Sequence, residues 1–326
     1  MAEDSQEIDL VCAVDLGGTN LRAATIDNRG RIFERHKTPT PHAGEACEIV
    51  TAIANGVREC ETQAIARGAA IGAVSIVVPG SVQVETGLVF NAPNIGSLQG
   101  YRLGPALEKD LGRPVLLEND ANAAAVGEMW QGAARGCGTV ICLTLGTGVG
   151  GGIILDGELW RGIDGTAGEI GHTSIEPFGG VRCKCGNFGC LEVYASATAM
   201  VRITREALAK PNDSVLRSVP LSDLTSATVY RAAVGGDALA REVFRNVGVH
   251  LGIAMANLVN TFNPEVIVVG GGAAGGWELF GDHAKEEIMK RAFPVPAQRC
   301  RVARAERGDD AGLLGAARLA FHNRVP

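Results

Sequence analysis

The sequence predicts an α/β protein built as two related domains around a cleft. Three observations carry that expectation. The chain has 326 residues, about twice the usual size of one domain. Apolar, strand-like runs alternate with helix-patterned segments. A glycine-turned hairpin also occurs twice: VCAVDLGGTNLRAATID, from Val11, joins two apolar strands through Gly17 and Gly18, and TVICLTLGTGVGGGIILDG, from Thr139, repeats the plan about 130 residues later.

The elements follow in order. After the first hairpin a helix pattern over 44–67 leads to the buried-strand run IGAVSIVVPG at 71–80. LLENDANAAAVGEMW, from Leu116, reads as a short strand running into an Ala-rich helix over 120–131. Residues 136–155 hold twenty positions without a charge, which invites a membrane reading; ten of them are Gly or Thr, so the segment is strand, turn, strand. Helix patterns at 195–210, 221–234 and 236–260 precede the strand EVIVVGGG at 265–272. A helix (WELFGDHAKEEIMKR), a strand-like CRVARAE and an amphipathic helix with an acidic start at 309–324 complete the chain.

Composition sets the chemistry these elements can serve. With 46% hydrophobic and 20% charged residues the chain folds rather than remaining disordered. A net charge of -6 with no long run of one sign gives nothing that argues for nucleic acid or an anionic membrane surface as a partner, and neither is expected. The first residues, MAEDSQEID, are the opposite of a secretory leader, so a cytoplasmic location is expected. Cysteines stay reduced there, and a tight cluster of them suggests metal rather than disulfide. Cys12, Cys47, Cys60, Cys137, Cys142 and Cys300 are scattered and read as small hydrophobes. Cys183, Cys185 and Cys190, within CKCGNFGC, are not scattered.

Glycine-rich turns raise nucleotide readings that separate cleanly. No GxxxxGK[ST] is present. The GxGxxG at Gly146, Gly148 and Gly151 continues as a strand, without the helix a dinucleotide fingerprint needs, and the one at Gly270, Gly272 and Gly275 leaves too little chain beyond it. In DLGGTN, Gly17 and Gly18 let backbone N–H groups approach an anion, Thr19 and Asn20 add neutral donors, and Asp15 at the strand end can hold a hydrated divalent cation. An ordinary tight hairpin explains the same residues equally well. Asp120 is open in the same way: it is a helix N-cap, or a general base at a strand's carboxyl end. The amides of NAPN at 91–94, Asn119, Glu169 and His172 of GEIGH, and Glu192 add a directional polar set suited to a polyhydroxylated ligand.

DLGGTN, NAPN, ENDANAAAVGE, LGTGVGGG, GEIGH and CKCGNFGCLE, in this order and spacing, resemble the ROK family of sugar kinases and sugar-responsive repressors, and most closely its bacterial glucokinase-like members. The match runs from about residue 10 to residue 320. The resemblance implies two actin-like (ribonuclease H-like) ATPase domains, one over 1–118 joined by the C-terminal helix 309–326, the other over 119–308 and carrying a zinc loop. It implies ATP-dependent phosphorylation of a hexose, D-glucose to glucose 6-phosphate, with Asp120 as the base and Asn94, Asn119, Asp120, Glu169, His172 and Glu192 as sugar ligands. ATP with Mg²⁺ would use Asp15, Gly17, Gly18, Thr19 and Asn20 from one hairpin, Thr147 and Gly148 from the other, and Gly271 and Gly272 near the adenosine. A homodimer or higher homo-oligomer is expected. Tyr101 stands where family members often carry Trp after NAPN, which leaves N-acetylhexosamine, mannose, fructose and allose as alternative acceptors.

Cys183, Cys185 and Cys190 supply three thiolates, and His172, eleven residues upstream, completes a tetrahedral Cys3His set with no open position, hence a structural zinc. A lone buried histidine is the plainer account of His172. Two rivals to a kinase remain. A sugar-sensing repressor needs an N-terminal DNA-binding helix pair, for which the first ten residues leave no room. An actin-like filament or chaperone ATPase has no use for the carboxylate, amide and metal set.

Overall fold

The computed structural model describes residues 9–41 and 44–322. Period-two alternation builds its first sheet. In β1 (Asp9–Leu16), Leu10, Cys12, Val14 and Leu16 join one apolar cluster while Val11 and Ala13 join another, so the strand is covered on both faces. β1 turns back antiparallel into β2 (Asn20–Asp27), and β3 (Ile32–Pro39) pairs antiparallel with β2. In α1 (Ala46–Ala66), Ile49, Ile53, Val57, Cys60 and Ala64 recur at three- and four-residue spacing and are buried against this sheet. Each fully buried Ile or Val of that stripe contributes about 1.5–3 kcal/mol. β4 (Ala70–Val78) then runs parallel to β1. A small antiparallel ribbon, β5 (Ser81–Gln83) and β6 (Leu88–Asn91), and α2 (Leu103–Leu111) lead to β7 (Val115–Asn119), parallel to β4. The strand order is β3-β2-β1-β4-β7, and α3 (Asp120–Gln131) starts where β7 ends.

The second sheet repeats this order. β8 (Val140–Leu145) and β9 (Val149–Leu155) form the antiparallel hairpin, and β10 (Glu158–Leu159) edges it. α4 (Glu192–Ala195), α5 (Ala197–Leu208), α6 (Ser226–Val234) and α7 (Ala238–Phe262) follow, then β11 (Val266–Gly270) parallel to β8. After α8 (Trp277–Arg291) and α9 (Pro294–Arg299), β12 (Arg301–Arg304) lies parallel to β11. The order β10-β9-β8-β11-β12 matches the first sheet strand for strand, so the duplication visible in the hairpins extends to the whole sheets. Val243, Phe244, Val247, Leu251 and Met255 of α7 pack on Ile141, Leu143, Ile267 and Val269 of this sheet in one core.

The last helix, α10 (Ala311–His322), covers the β1 face that carries Val11 and Ala13. It lies close against α3: a Cβ on Gly127 would enter the Ala311 carbonyl, and one on Gly315 the Ala123 carbonyl. The chain accordingly divides into a first unit, up to Gly136 with Leu159–Ala167 and the segment from Asp309, and a second, Cys137–Glu158 with Gly168–Gly308. The sequence reading put the boundary at residue 118 and α3 in the second domain; contact between α3 and α10 through small residues places α3 in the first unit. The excursion at 159–167 had no sequence signal. β3, β5, β6, β10, α2 and α9 also escaped the sequence reading. IFERHKTP of β3 is an edge strand with few buried positions, and LGPALEKDL of α2 is short with an internal proline. Among the described residues no helix is long and apolar enough to cross a membrane.

Candidate active site and metal cluster

β7 delivers Glu118 and Asn119 to the start of α3, and the backbone decides which residue caps the helix. Asn119 is extended (φ -71°, ψ 147°) and its Oδ1 accepts the Asn122 N–H at 3.0 Å, so Asn119 is the N-cap and Asp120 the first helical residue. The Asn119 Nδ2 donates to Gly80 O at 2.8 Å and to Asp120 Oδ1 at 3.1 Å, which commits both ends of the amide to the chain. Asp120 Oδ1 also accepts the Ala121 N–H at 2.9 Å. Asp120 is exposed at the surface of the unit, while the protein behind it crowds its carboxyl. Loss of water around the charge pushes its carboxyl up to about 6, helped by the Asp15 carboxylate and opposed by the donors from Ala121 and Asn119.

Behind this junction lies a group that the sequence reading did not single out as a ligand. Glu118 is only 2% exposed, and its carboxylate accepts Arg161 Nε at 2.7 Å, Asn119 N at 3.0 Å and Asn122 Nδ2 at 3.0 Å. Arg161 is forty-three residues away in sequence, so no local pattern could have paired them.

The first hairpin turn closes through Gly17 N–H to Asn20 O at 2.9 Å. Neither Gly17 nor Gly18 takes a left-handed φ; glycine is needed at 17 because a Cβ would sit 2.9 Å from Asn20 O. Thr40 holds the turn from behind, its Oγ1 donating to Gly17 O at 2.7 Å and its N–H to Thr19 O at 3.0 Å. Asp15, at the end of β1, has its carboxyl raised by burial, against the pull of Arg22 Nη2 at 3.7 Å. Asn94 lies against the same turn: a Cβ on Gly18 would be 3.5 Å from Asn94 Cβ. Tyr101 packs on the first unit's core rather than standing free, and its carbonyl accepts Val89 N–H at 2.9 Å.

In the second unit the LGTGVG turn is tied to the start of α4 and α5. Glu192 Oε2 accepts Val149 N–H at 3.1 Å, and a Cβ on Gly148 would run into that carboxylate. Gly146 O accepts Ala197 N–H at 2.9 Å and Thr147 O accepts Thr198 Oγ1 at 2.7 Å. Gly271 has φ 85° and passes so close to the Leu145 backbone that no side chain fits. Beside it a cavity of about 170 Å³ is lined by Met200, Ser226, Tyr230, Phe244, Gly272 and Gly276, an apolar and aromatic wall suited to a flat ring.

His172, Cys183, Cys185 and Cys190 meet in the same unit, their ligand atoms all within 4.8 Å of one another. Zn–S bonds of about 2.3 Å in a tetrahedron put sulfurs about 3.8 Å apart, and a Zn–N bond of about 2.05 Å puts nitrogen about 3.5 Å from sulfur. Cys185 Sγ and Cys190 Sγ are 3.7 Å apart, and His172 Nδ1 is 3.6 Å from Cys183 Sγ. The donor set therefore fits a tetrahedral cation in number, type and spacing. Without one, burial and the two neighbouring thiols push Cys190 up to about 12, far from the thiolate a metal takes. His172 presents Nδ1 to the thiols and Nε2 to Glu169, whose Oε2 is 3.9 Å away. His172 is half-exposed, which removes the lone buried histidine as its description.

The structure thus brings Asp15, Gly17, Gly18, Thr19, Asn20, Asn94, Asn119 and Asp120 together in the first unit. Thr147, Gly148, Glu169, His172, Glu192, Gly271, Gly272 and the three cysteines belong to the second. Two sheets of one strand order, each opened by a glycine-turned hairpin, make an α/β kinase fold consistent with a two-domain actin-like ATPase. Within it the chain belongs to the ROK family, whose model matches residues 11–323. It is 37% identical to a glucokinase of Halalkalibacterium halodurans over 305 residues, 93% of this chain and 92% of that one. A solved ROK family glucokinase from Streptomyces griseus, in complex with glucose and AMPPNP, superposes with a TM-score of 0.82 at 37% identity, covering 96% of this chain and 99% of that chain. A solved ROK family transcriptional regulator, a homolog of the E. coli MLC protein, gives 0.86 at 28% identity, covering 96% of this chain and 78% of that chain.

Proposed function

We propose that this chain is an ATP-dependent sugar kinase that phosphorylates D-glucose at O6. The observation that carries the reading is Asp120: Asn119 does the capping, which leaves Asp120 a carboxyl of about 6 at a strand's carboxyl end. At pH 7 such a group is mostly ionised and still basic enough to take a proton. Asp120 accepts the proton of the 6-hydroxyl as that oxygen bonds to the γ-phosphorus and the bond to the ADP oxygen breaks. N–H groups of the two glycine turns offset charge on the phosphate oxygens, and the cavity at Gly272 takes the adenine. Asp15 would hold Mg²⁺, which would supply charge neutralisation at the phosphates. Asn94, Glu169, His172 and Glu192 orient the sugar hydroxyls. Asn119 positions Asp120 through Nδ2, and the second lone pair of its Oδ1 is open to a sugar hydroxyl.

Zinc on His172, Cys183, Cys185 and Cys190 belongs to the same reading as a structural ion. It would fix the His172 ring through Nδ1 and leave Nε2 for a hydroxyl, coupling the loop to sugar geometry. A cytoplasmic homodimer or larger assembly also belongs to it, supported by the exposed apolar Met289, Phe293 and Val295 and read by light scattering. The test of the activity is a panel of glucose, mannose, fructose, allose and N-acetylhexosamines with coupled ADP detection. Glucose is expected to give the highest kcat/KM, with glucose 6-phosphate as product. An acetamido sugar about tenfold better would reassign the substrate, and glucose binding without ADP release would make the chain a regulator.

A further inference from the structure

Asp120 sits in a network whose charge balance depends on a residue from elsewhere in the chain. We propose that Arg161 is a positioning residue for phosphoryl transfer, acting on Asp120 through the buried Glu118. The proposal rests on the reading of Asp120 as the base.

The geometry is a clasp across the β7–α3 junction. One Glu118 oxygen holds the Asn119 N–H and the Asn122 side chain, the two residues that also make the helix cap, and the other holds Arg161 Nε. Asn119 in turn grips Asp120 Oδ1. Any turn of the Glu118 carboxylate therefore moves the cap and, with it, the base. Within the first unit the charge that acts on Asp120 directly is Asp15 at the end of β1; Arg22 of β2 pairs with Asp15 and with Asp309, and Arg161 pairs with Glu118 on β7. Arg161 supplies the positive charge that offsets Glu118; without it a second buried carboxylate would stand uncompensated two residues from Asp120. Arg161 itself lies in the excursion Leu159–Ala167, which is anchored to the first unit at a second point. Gly165, with φ 84°, rests on Val82, and a Cβ there would come within 2.7 Å of the Val82 carbonyl oxygen. The excursion ends at Ala167, directly before Gly168, the first residue of GEIGH, so one segment carries both the counter-charge of the base and the approach to GEIGH.

The test compares Arg161→Gln, Arg161→Lys and Glu118→Gln with wild type and Asp120→Asn. It reads turnover against pH and the carboxyl ¹³C titration of Asp120, assigned by its loss in Asp120→Asn. Arg161→Gln is expected to lower kcat about 10- to 100-fold with KM for ATP within about twofold. It should also move the acid limb and the Asp120 titration up by about half a pH unit or more. Arg161→Lys should bring both back toward wild type, because the charge returns, and Glu118→Gln should move them down. An unmoved limb and titration in Arg161→Gln, with turnover reduced only as far as folding is, would reduce the clasp to a structural pair and overturn the proposal. If Arg161→Gln does not fold, Glu118→Gln decides: no downward shift overturns it. Full turnover in Asp120→Asn would instead remove the base assignment, and the titration of Asp120 would still report whether Arg161 governs it.

Discussion

The two units share a strand order but hold their functional side chains by opposite means. In the first, Asp15, Asn119 and Asp120 sit at strand ends and are fixed by hydrogen bonds that begin in the sheet itself: Thr40 on the glycine turn, Gly80 and Glu118 on the Asn119–Asp120 pair. In the second, Glu169, His172 and Glu192 lie on or beside a loop with isolated bridges such as Ser174 with Cys190 and Arg182 with Phe188, and with Phe178 and Phe188 exposed. Such a loop has little core of its own, and four metal donors stand where hydrophobic packing would otherwise be. A sheet needs only a good strand end to position a group; a loop needs a staple.

That contrast is open to direct attack. The largest effect is expected from Asp120→Asn, which should cut kcat about 10²- to 10⁴-fold while the protein stays folded. The sign of its stability effect follows from the raised carboxyl: stability linked to the protonated form is present at low pH and is lost as pH rises through about 6, so ionised Asp120 is a burden at neutral pH. The melting temperature of Asp120→Asn at pH 7 should therefore equal or exceed that of wild type, and a clear fall would show that Asp120 is structural after all. Next in size is the staple. Cys185→Ser, or prolonged chelation, should remove zinc seen by elemental analysis and lower kcat/KM for sugar about 10- to 100-fold, leaving Asp120's titration unchanged. Full activity in metal-free protein would erase the contrast between the units. In wild type, kcat/KM should fall as pH drops through about 6, about tenfold per unit below it; a limb near 4 would mean that the crowding around Asp120 has no electrostatic effect. The smallest effect is on Asn119→Ala, where loss of the cap should cost about 1 kcal/mol in denaturant unfolding. No change in stability there would return the capping role to Asp120.

Much of this was legible beforehand, for physical reasons that also mark the limits. Gly17 and Gly148 were readable because strand–glycine–strand patterns have few other outcomes, and the cysteine set because three thiols in eight positions have few other uses. The cap was not: Asn119 and Asp120 are both good N-caps, and a shift of one position decides which of them is free to do chemistry. Glu118 with Arg161, and Thr40 behind Gly17, are contacts between distant segments that no local periodicity records. The domain boundary differs for the same reason, since it depends on Gly127 meeting Ala311 and Gly315 meeting Ala123, segments far apart in sequence.

The return of α10 to the first sheet fixes an order of events during synthesis. The face of β1 that carries Val11 and Ala13 is closed by Leu313, Leu314, Ala316, Ala317 and Ala320, all of which follow the second unit in the chain. Nearly all of the second unit, Gly168 through Gly308, has emerged by then and can fold on its own core. The first unit, although begun earlier, is closed only after the second unit has been made, and one of its apolar faces stays open until α10 arrives. Removal of α10 would strip that cover from Val11 and Ala13, while the second unit would keep its own core.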